Sequence, residues 1–170
     1  MNNPIIVDNF YEDPDSIRNY ALSLKYNQPK DFTEDNVGWL GYRCFTRSDS
    51  FALDLSKRLK KANCNFTAMM YYFHYCLEET KNFNAYNMDF HEYKIHTDPI
   101  AKFAGVIYLH PDPPKNTGTS FYTDKKEYVS SIENKYNRFI CYPSNIYHGP
   151  TDLFGDTKEN GRLTLTFFCK

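Results

Sequence analysis

His96-Thr97-Asp98, followed by His148 and then by Arg162, are the residues whose types and order could run a reaction. Along an extended segment successive side chains alternate faces, so His96 and Asp98 point the same way and Thr97 points away. One strand end thereby offers an imidazole and a carboxylate together. His148, after the Pro143-Ser144-Asn145 turn and before Gly149-Pro150, brings a second imidazole from a strand edge elsewhere in the chain. Two imidazoles and one carboxylate on one side of an ion leave the rest of an octahedron open, the 2-His-1-carboxylate arrangement that suits non-haem Fe(II). H-x-D alone is common by chance, so the weight lies in its combination with His148 and Arg162.

Arg162-Leu163-Thr164-Leu165-Thr166-Phe167 alternates strictly, with Arg162, Thr164 and Thr166 on one face and Leu163, Leu165 and Phe167 on the other. A cation and two hydroxyls would then line an interior. An unpaired buried guanidinium is costly, and its planar fork matches a carboxylate at two points. Its partner is either an Asp or Glu of the chain or an anionic ligand. The other histidines read as structural or solvated: His74 lies in an aromatic run, His91 starts a strand-like segment, and His110 borders a Pro-rich turn.

Several elements must position these groups. Ile5-Ile6-Val7 reads as a short strand, and Asp13-Pro14-Asp15-Ser16 supplies an N-cap with Pro at the first helical position. The helix beginning there, to about Leu24, carries Ile17, Tyr20, Ala21 and Leu24 on one stripe and should lie against a sheet. Residues 25–36 read as a loop, 39–45 as a strand, and Ser48 to Lys61 as a second amphipathic helix. Strands are expected at residues 66–77, 91–96, 103–109, 119–122, 138–142, around Tyr147, and 163–169. The Pro-rich stretch 110–118 must be an exposed connection, and 124–135 reads as a loop or short helix.

With 15 Tyr and 14 Phe among 170 residues, the composition favours half-buried strands and a mainly β fold. The length suits one domain spanning residues 1–170. Twenty basic against 21 acidic residues, a net charge of -1, supply no broad attraction to nucleic acid or to an anionic membrane. No run approaches the roughly 20 apolar residues of a membrane span, and Met1-Asn2-Asn3-Pro4 has neither a basic start nor an apolar signal core. A soluble, cytoplasmic protein is expected. Cys44, Cys64, Cys76, Cys141 and Cys169 are widely spaced with no C-x-x-C pair, and read as reduced packing residues.

Taken together, His96-Thr97-Asp98, His148 and Arg162 resemble the Fe(II)- and 2-oxoglutarate-dependent dioxygenases, in their prolyl-hydroxylase-like branch. Tyr93-Lys94-Ile95, Val106-Ile107-Tyr108-Leu109, Gly118-Thr119-Ser120-Phe121 and the terminal Arg162 to Phe168 run are similar to that branch too. The resemblance covers about residues 84–170, and Val7-Asp8-Asn9-Phe10-Tyr11-Glu12-Asp13-Pro14 also resembles small phage and bacterial members.

The resemblance implies a double-stranded β-helix, a jelly-roll of two facing sheets, with a catalytic barrel at about residues 66–170 and the two helices of the N-terminal half packed outside. It implies that His96, Asp98 and His148 bind Fe(II), that Arg162 holds the distal carboxylate of 2-oxoglutarate, and that Tyr108 helps there. Thr166 and Tyr93 match positions near the cosubstrate, although Tyr93 has the opposite strand parity to His96 unless a bulge intervenes. Dioxygen would be the oxidant, and a C-H bond of a peptidyl, prolyl-like, or small-molecule substrate would be hydroxylated. Tyr122, Tyr142 and Tyr147 are candidates for the cavity mouth or for core packing. The span from His148 to Arg162 is longer than is common in the family, so residues 151–161 form a lid or a tolerated surface insertion. A cupin-like metal-binding jelly-roll without cosubstrate, or a non-catalytic jelly-roll binding or structural module, are the rivals; Arg162 argues against the first, and the second predicts no iron affinity and no dependence on His96.

Overall fold

Period-two alternation decides which face of each strand is buried, and the longest strands display it best. In the computed structural model, which describes residues 3–32, 38–66, 69–82, 84–85 and 88–170, the chain starts with β1 (Ile5–Val7), α1 (Pro14–Ser23), β2 (Tyr42–Arg43) and α2 (Asp49–Lys61). Next come β3 (Met69–Cys76), β4 (Asn84–Ala85), β5 (Met88–Asp89) and a one-turn helix α3 (Phe90–Tyr93). The rest is β6 (Phe103–Tyr108), β7 (Thr119–Tyr122), β8 (Tyr128–Ile132), β9 (Phe139–Pro143), β10 (Tyr147–Pro150) and β11 (Arg162–Cys169). Six strands form one sheet in the order β1-β9-β6-β11-β3-β2, three form a second, β10-β7-β8, and β4 pairs with β5.

From the middle of the large sheet, β11 sends Leu163, Leu165, Phe167 and Cys169 to the outer face, where they join Tyr71 and Phe73 of β3 and Phe139 of β9. Ala21 of α1 and Leu55 and Leu59 of α2 seal that cluster. At about 25 cal/mol per Å² of apolar surface removed from water, it is the main stabilising contact of the fold. Phe139 and Phe167 stack with ring centroids 5.5 Å apart. They need Gly105 beneath them, since a Cβ there would collide with the Phe167 ring. Both helices start on side-chain caps: Asp13 accepts from the Ser16 amide, and Ser48 from the Phe51 amide.

On the inner face Ala104, Val106 and Tyr108 of β6, with Ile140 and Tyr142 of β9, pack against Phe121 of β7 in the second sheet. Two antiparallel sheets therefore face each other with the N-terminal-half helices outside, the mainly β jelly-roll expected from the sequence.

Three local expectations need correction. Residues 91–96 are not a strand: the Asp89 side chain caps the Glu92 amide and starts α3, and His96 alone keeps a strand contact, an isolated antiparallel bridge to His148. Residues 124–135 contain β8, an exposed strand paired with β7. Its charged flanks disguise the Tyr128-Val129 pair that favours extension. Within residues 39–45 the pairing is limited to Tyr42 and Arg43. The expected loop at 25–36 and strand at 66–77 fall partly outside the described residues. All five cysteines are free and buried. Among the described residues, no helix is long and apolar enough to cross a membrane.

Candidate metal centre and cavity

Backbone pairing, rather than side-chain reach, brings the candidate ligands together. β10 pairs with β7 and sets His148 opposite Phe121. The chain leaving α3 then lies along β10: the His96 amide donates to the His148 carbonyl at 3.0 Å, and the His148 amide returns the bond at 2.9 Å. Gly149 permits that approach, because a Cβ there would collide with the Lys94 carbonyl. Lys94 is tied down by its ammonium, which donates to the Thr151 carbonyl at 3.0 Å. Asp98 is held by its own amide, which donates to the carbonyl of Ser144 at 2.8 Å. Ser144, read from sequence only as part of a turn, thus sets the position of a candidate ligand.

The ring orientations are fixed as well. His96 Nδ1 lies 2.9 Å from the Lys94 carbonyl and His148 Nδ1 lies 2.8 Å from that of Ile146. Each carbonyl can only accept, so both rings carry their hydrogen on Nδ1 and turn Nε2 toward Asp98. The distances are 3.1 Å from His148 Nε2 to Asp98 Oδ2 and 3.9 Å from His96 Nε2 to Asp98 Oδ1. One ligand atom from each of the three lies within 4.8 Å of the others. Adjacent ligands about 2.1 Å from one ion stand roughly 3 Å apart, so this cluster needs only a small contraction to share it.

Electrostatics favour the ligating forms. His96 has 48% of its side chain exposed, but the exposed surface faces the cavity, and the ring lies deep in the protein. Burial lowers its pKa, His148 lowers it further, and Asp98 opposes both. Burial raises the Asp98 carboxyl, yet contact with His148 and the charges of His148, His96 and Arg43 outweigh it and hold the group below its ordinary value. A neutral imidazole and an ionised carboxylate are what a metal requires.

A cavity of about 420 Å³ extends from this cluster between the sheets. Arg162 lines it and is buried. Its Nε donates to the Thr117 carbonyl and its Nη2 to that of Gly118, both at 3.0 Å. Those bonds use two of the five N-H donors of a guanidinium, and no described Asp or Glu forms an ion pair with it. Tyr108, expected at the same carboxylate, lies under the Arg162 guanidinium at 5.6 Å and is fully buried, with its hydroxyl 2.7 Å from that of Thr119. Thr119, not foreseen, is the member of that pair that reaches the cavity wall.

Thr166 and Tyr93 both line the cavity. Tyr93 does so from the end of α3, so strand parity does not govern it. Thr164 turns its hydroxyl to the His74 carbonyl. Of the three tyrosines considered for the mouth, Tyr142 reaches the wall, while Tyr122 packs on Tyr128 and Tyr147 carries Lys126 over its ring. Residues 151–161 contribute nothing to the wall. They are packed down instead, through buried Leu153 and Phe154, the Lys81–Asp152 ion pair and the Lys158 bond to the Leu22 carbonyl. That segment is an anchored insertion and not a lid.

Trp39, Arg43 and Tyr72 also line the cavity and were not singled out from the sequence, and so does His74, which was read there as structural or solvated. The signal existed. Period two puts Tyr72, His74 and Cys76 opposite Tyr71 and Phe73, and puts Trp39 and Arg43 on one face. His74 donates from Nε2 to the Leu40 carbonyl, and burial pushes its pKa down to about 3.

No protein-family model and no curated protein matches the sequence. Solved structures do. A prolyl-4-hydroxylase of Pseudomonas putida superposes with a TM-score of 0.58 at 11% identity, over 98% of this chain and 91% of that one. The fold is that of the prolyl hydroxylases. A prolyl hydroxylase of Trichoplax adhaerens, solved with a hypoxia inducible factor oxygen degradation domain peptide fragment, gives 0.57 at 13% identity, covering 99% of this chain and 84% of that one. IDO from Bacillus thuringiensis gives 0.58 at 12% identity, covering 99% and 90%. At such identities the prolyl-hydroxylase likeness establishes architecture, and chemistry rests on the site itself.

Proposed function

We propose that the protein is a non-haem Fe(II)- and 2-oxoglutarate-dependent dioxygenase that hydroxylates a C-H bond of a peptidyl, prolyl-like, or small-molecule substrate. One observation carries the reading: a His-Asp-His cluster and a buried arginine without a carboxylate partner among the described residues line the same cavity of a prolyl-hydroxylase-like fold. A cupin-like metal protein leaves that arginine without a purpose, and a structural module leaves the cluster without one.

His96, Asp98 and His148 would hold the metal, and the fit follows from their donor set. Two Nε2 atoms are freed by Nδ1 bonds to carbonyls, and a carboxylate faces both. Bound iron and 2-oxoglutarate together supply oxidative decarboxylation to succinate and an oxidant strong enough for an unactivated C-H bond.

The chain's own part is orientation and exclusion. Arg162 offers its remaining donors to the distal carboxylate of 2-oxoglutarate, with Tyr108, bonded to Thr119, stiffening it from below and Thr166 lining the same cavity further along β11. The Thr117 and Gly118 carbonyls fix the guanidinium before any ligand arrives, so little entropy is lost on binding. Val106, Ala104 and Phe168 give the cavity an apolar wall that keeps water from the reacting centre. Tyr93 lines the cavity from α3, close to His96 in the chain, where it would meet the cosubstrate or substrate.

Oxygen-dependent formation of succinate from 2-oxoglutarate tests this directly. Purified protein with Fe(II) should produce it, and His148→Ala should not; equal production by both would refute the assignment.

A further inference from the structure

Arg43 is a second guanidinium in the cavity, and the proposed cosubstrate does not account for it. It stands on edge strand β2 opposite His74, and its side chain lines the cavity with its Cζ over two rings, 5.2 Å from the centroid of Trp39 and 4.8 Å from that of Tyr72. Its Nε is buried with no hydrogen-bond partner. The indole Nε1 of Trp39, on the same wall, is a second buried donor without a partner. No described carboxylate forms an ion pair with Arg43. Burial lowers its pKa, with Tyr72 and Asp98 opposing, so the group stays charged at the expense of its hydration.

Two buried donors without a partner, both on residues that line the cavity, define an acceptor site, because a buried donor left unpaired is costly until something accepts from it. Arg162 is held separately, by the carbonyls of Thr117 and Gly118 and over the ring of Tyr108. Arg43 lines the same cavity as His96, Asp98 and His148. The substrate must approach that cluster. The contacts of its Cζ with the Trp39 and Tyr72 rings use none of the N-H donors of Arg43, and the planar edge of a guanidinium suits a two-oxygen anion best. Arg47 also lies over the Tyr72 ring, at 4.6 Å, and adds positive charge near it.

We propose that Arg43, with the indole N-H of Trp39, is the substrate-recognition site, and that it selects a substrate bearing its own carboxylate over a neutral peptide segment. The inference rests on the dioxygenase reading of the cavity, and its test separates the two.

Trp39 is the sole tryptophan of the chain, so its emission reports on this wall alone. Full-length protein is saturated anaerobically with Fe(II) and 2-oxoglutarate, and the visible absorption of the chelate reports whether the dioxygenase reading holds. Small 2-amino acids and short-chain carboxylic acids, each matched with its carboxamide, are then titrated while Trp39 emission is followed. The expected result is that acids bind at least about tenfold tighter than their amides, the worth of one charge-assisted hydrogen bond. That preference should vanish in Arg43→Gln while the visible absorption persists. Arg43→Lys, which keeps the charge and loses the fork, should retain part of it and covers the case in which Arg43→Gln does not fold. Absence of any acid preference in the wild type, through no binding or equal binding, overturns the proposal. So does an undiminished preference in Arg43→Gln, or a response to inorganic phosphate exceeding that to every carboxylate. Loss of the visible absorption in the wild type would instead sink the dioxygenase reading on which it rests.

Discussion

His96 and His148 exchange both backbone hydrogen bonds, 3.0 and 2.9 Å long, so the two imidazoles that meet Asp98 are set in register by main chain before any metal acts on them. A site built this way depends on how closely two backbone segments can approach.

Gly149→Ala should therefore damage the metal site without touching a ligand. A Cβ at that position meets the Lys94 carbonyl, which must move and carry residues 95 and 96 with it. Iron affinity is expected to fall about tenfold to a hundredfold, the scale seen when groups that support ligands are disturbed. Iron titration of the folded variant checks this, and unchanged affinity would show that the approach is not required.

Arg162→Ala should leave iron loading intact and raise the 2-oxoglutarate concentration needed for half-maximal succinate formation by roughly 10- to 100-fold, as loss of a charged two-point contact implies. Arg162→Lys should rescue only partly, since an ammonium cannot reproduce the fork. Steady-state kinetics in 2-oxoglutarate would expose an error if both variants kept the wild-type requirement.

His74 gives a pH signature in stability. Its ordinary pKa of 6.5 falls to about 3 in the fold, chiefly through burial, with the Arg43 charge adding to it. The unfolded chain thus binds a proton that the folded chain rejects across this window, and stability declines as pH drops from 6.5 toward about 3. The ring borders a cavity, so the slope from this group is expected to be at most about 1 kcal/mol per pH unit. His74→Gln, which can still donate to the Leu40 carbonyl, should flatten that slope; parallel wild-type and variant denaturation curves over pH 6.5 to 4 would contradict the assignment.

Phe167→Ala should cost about 3–5 kcal/mol in chemical denaturation, because the ring is fully buried and stacked on Phe139 with nothing positioned to fill the gap. A loss under about 1 kcal/mol would mean that this face of the sheet is not the stabilising core.

The sequence was most legible where one periodicity ran unopposed. β11 shows its alternation in eight consecutive residues, and the pattern separates the helix-covered core from the cavity wall without ambiguity. That His96, Asp98 and His148 cluster, and share a cavity with Arg162, was readable for a similar reason, since polar groups with few bland uses stand at fixed intervals. Residues 91–96 misled because three aromatic or imidazole side chains favour extension, while a single cap from Asp89 tips the local balance to one helical turn. β8 was hidden by lysine and glutamate on its flanks. Arg43 and Trp39 escaped notice because their meaning is wholly tertiary: β2 is two residues long, and its importance arises from the neighbour that β3 provides. Tyr108 and Thr119 show the same limit, one expected at the cosubstrate but fully buried beneath Arg162, the other unforeseen and lining the wall.

Anaerobic titration of Fe(II) into the protein with 2-oxoglutarate, followed by visible absorption, tests the central claim most directly. A weak charge-transfer band should appear, saturate at one iron per chain and be absent in His148→Ala, whereas no band at saturating ligand, or equal iron uptake by both proteins, would contradict it.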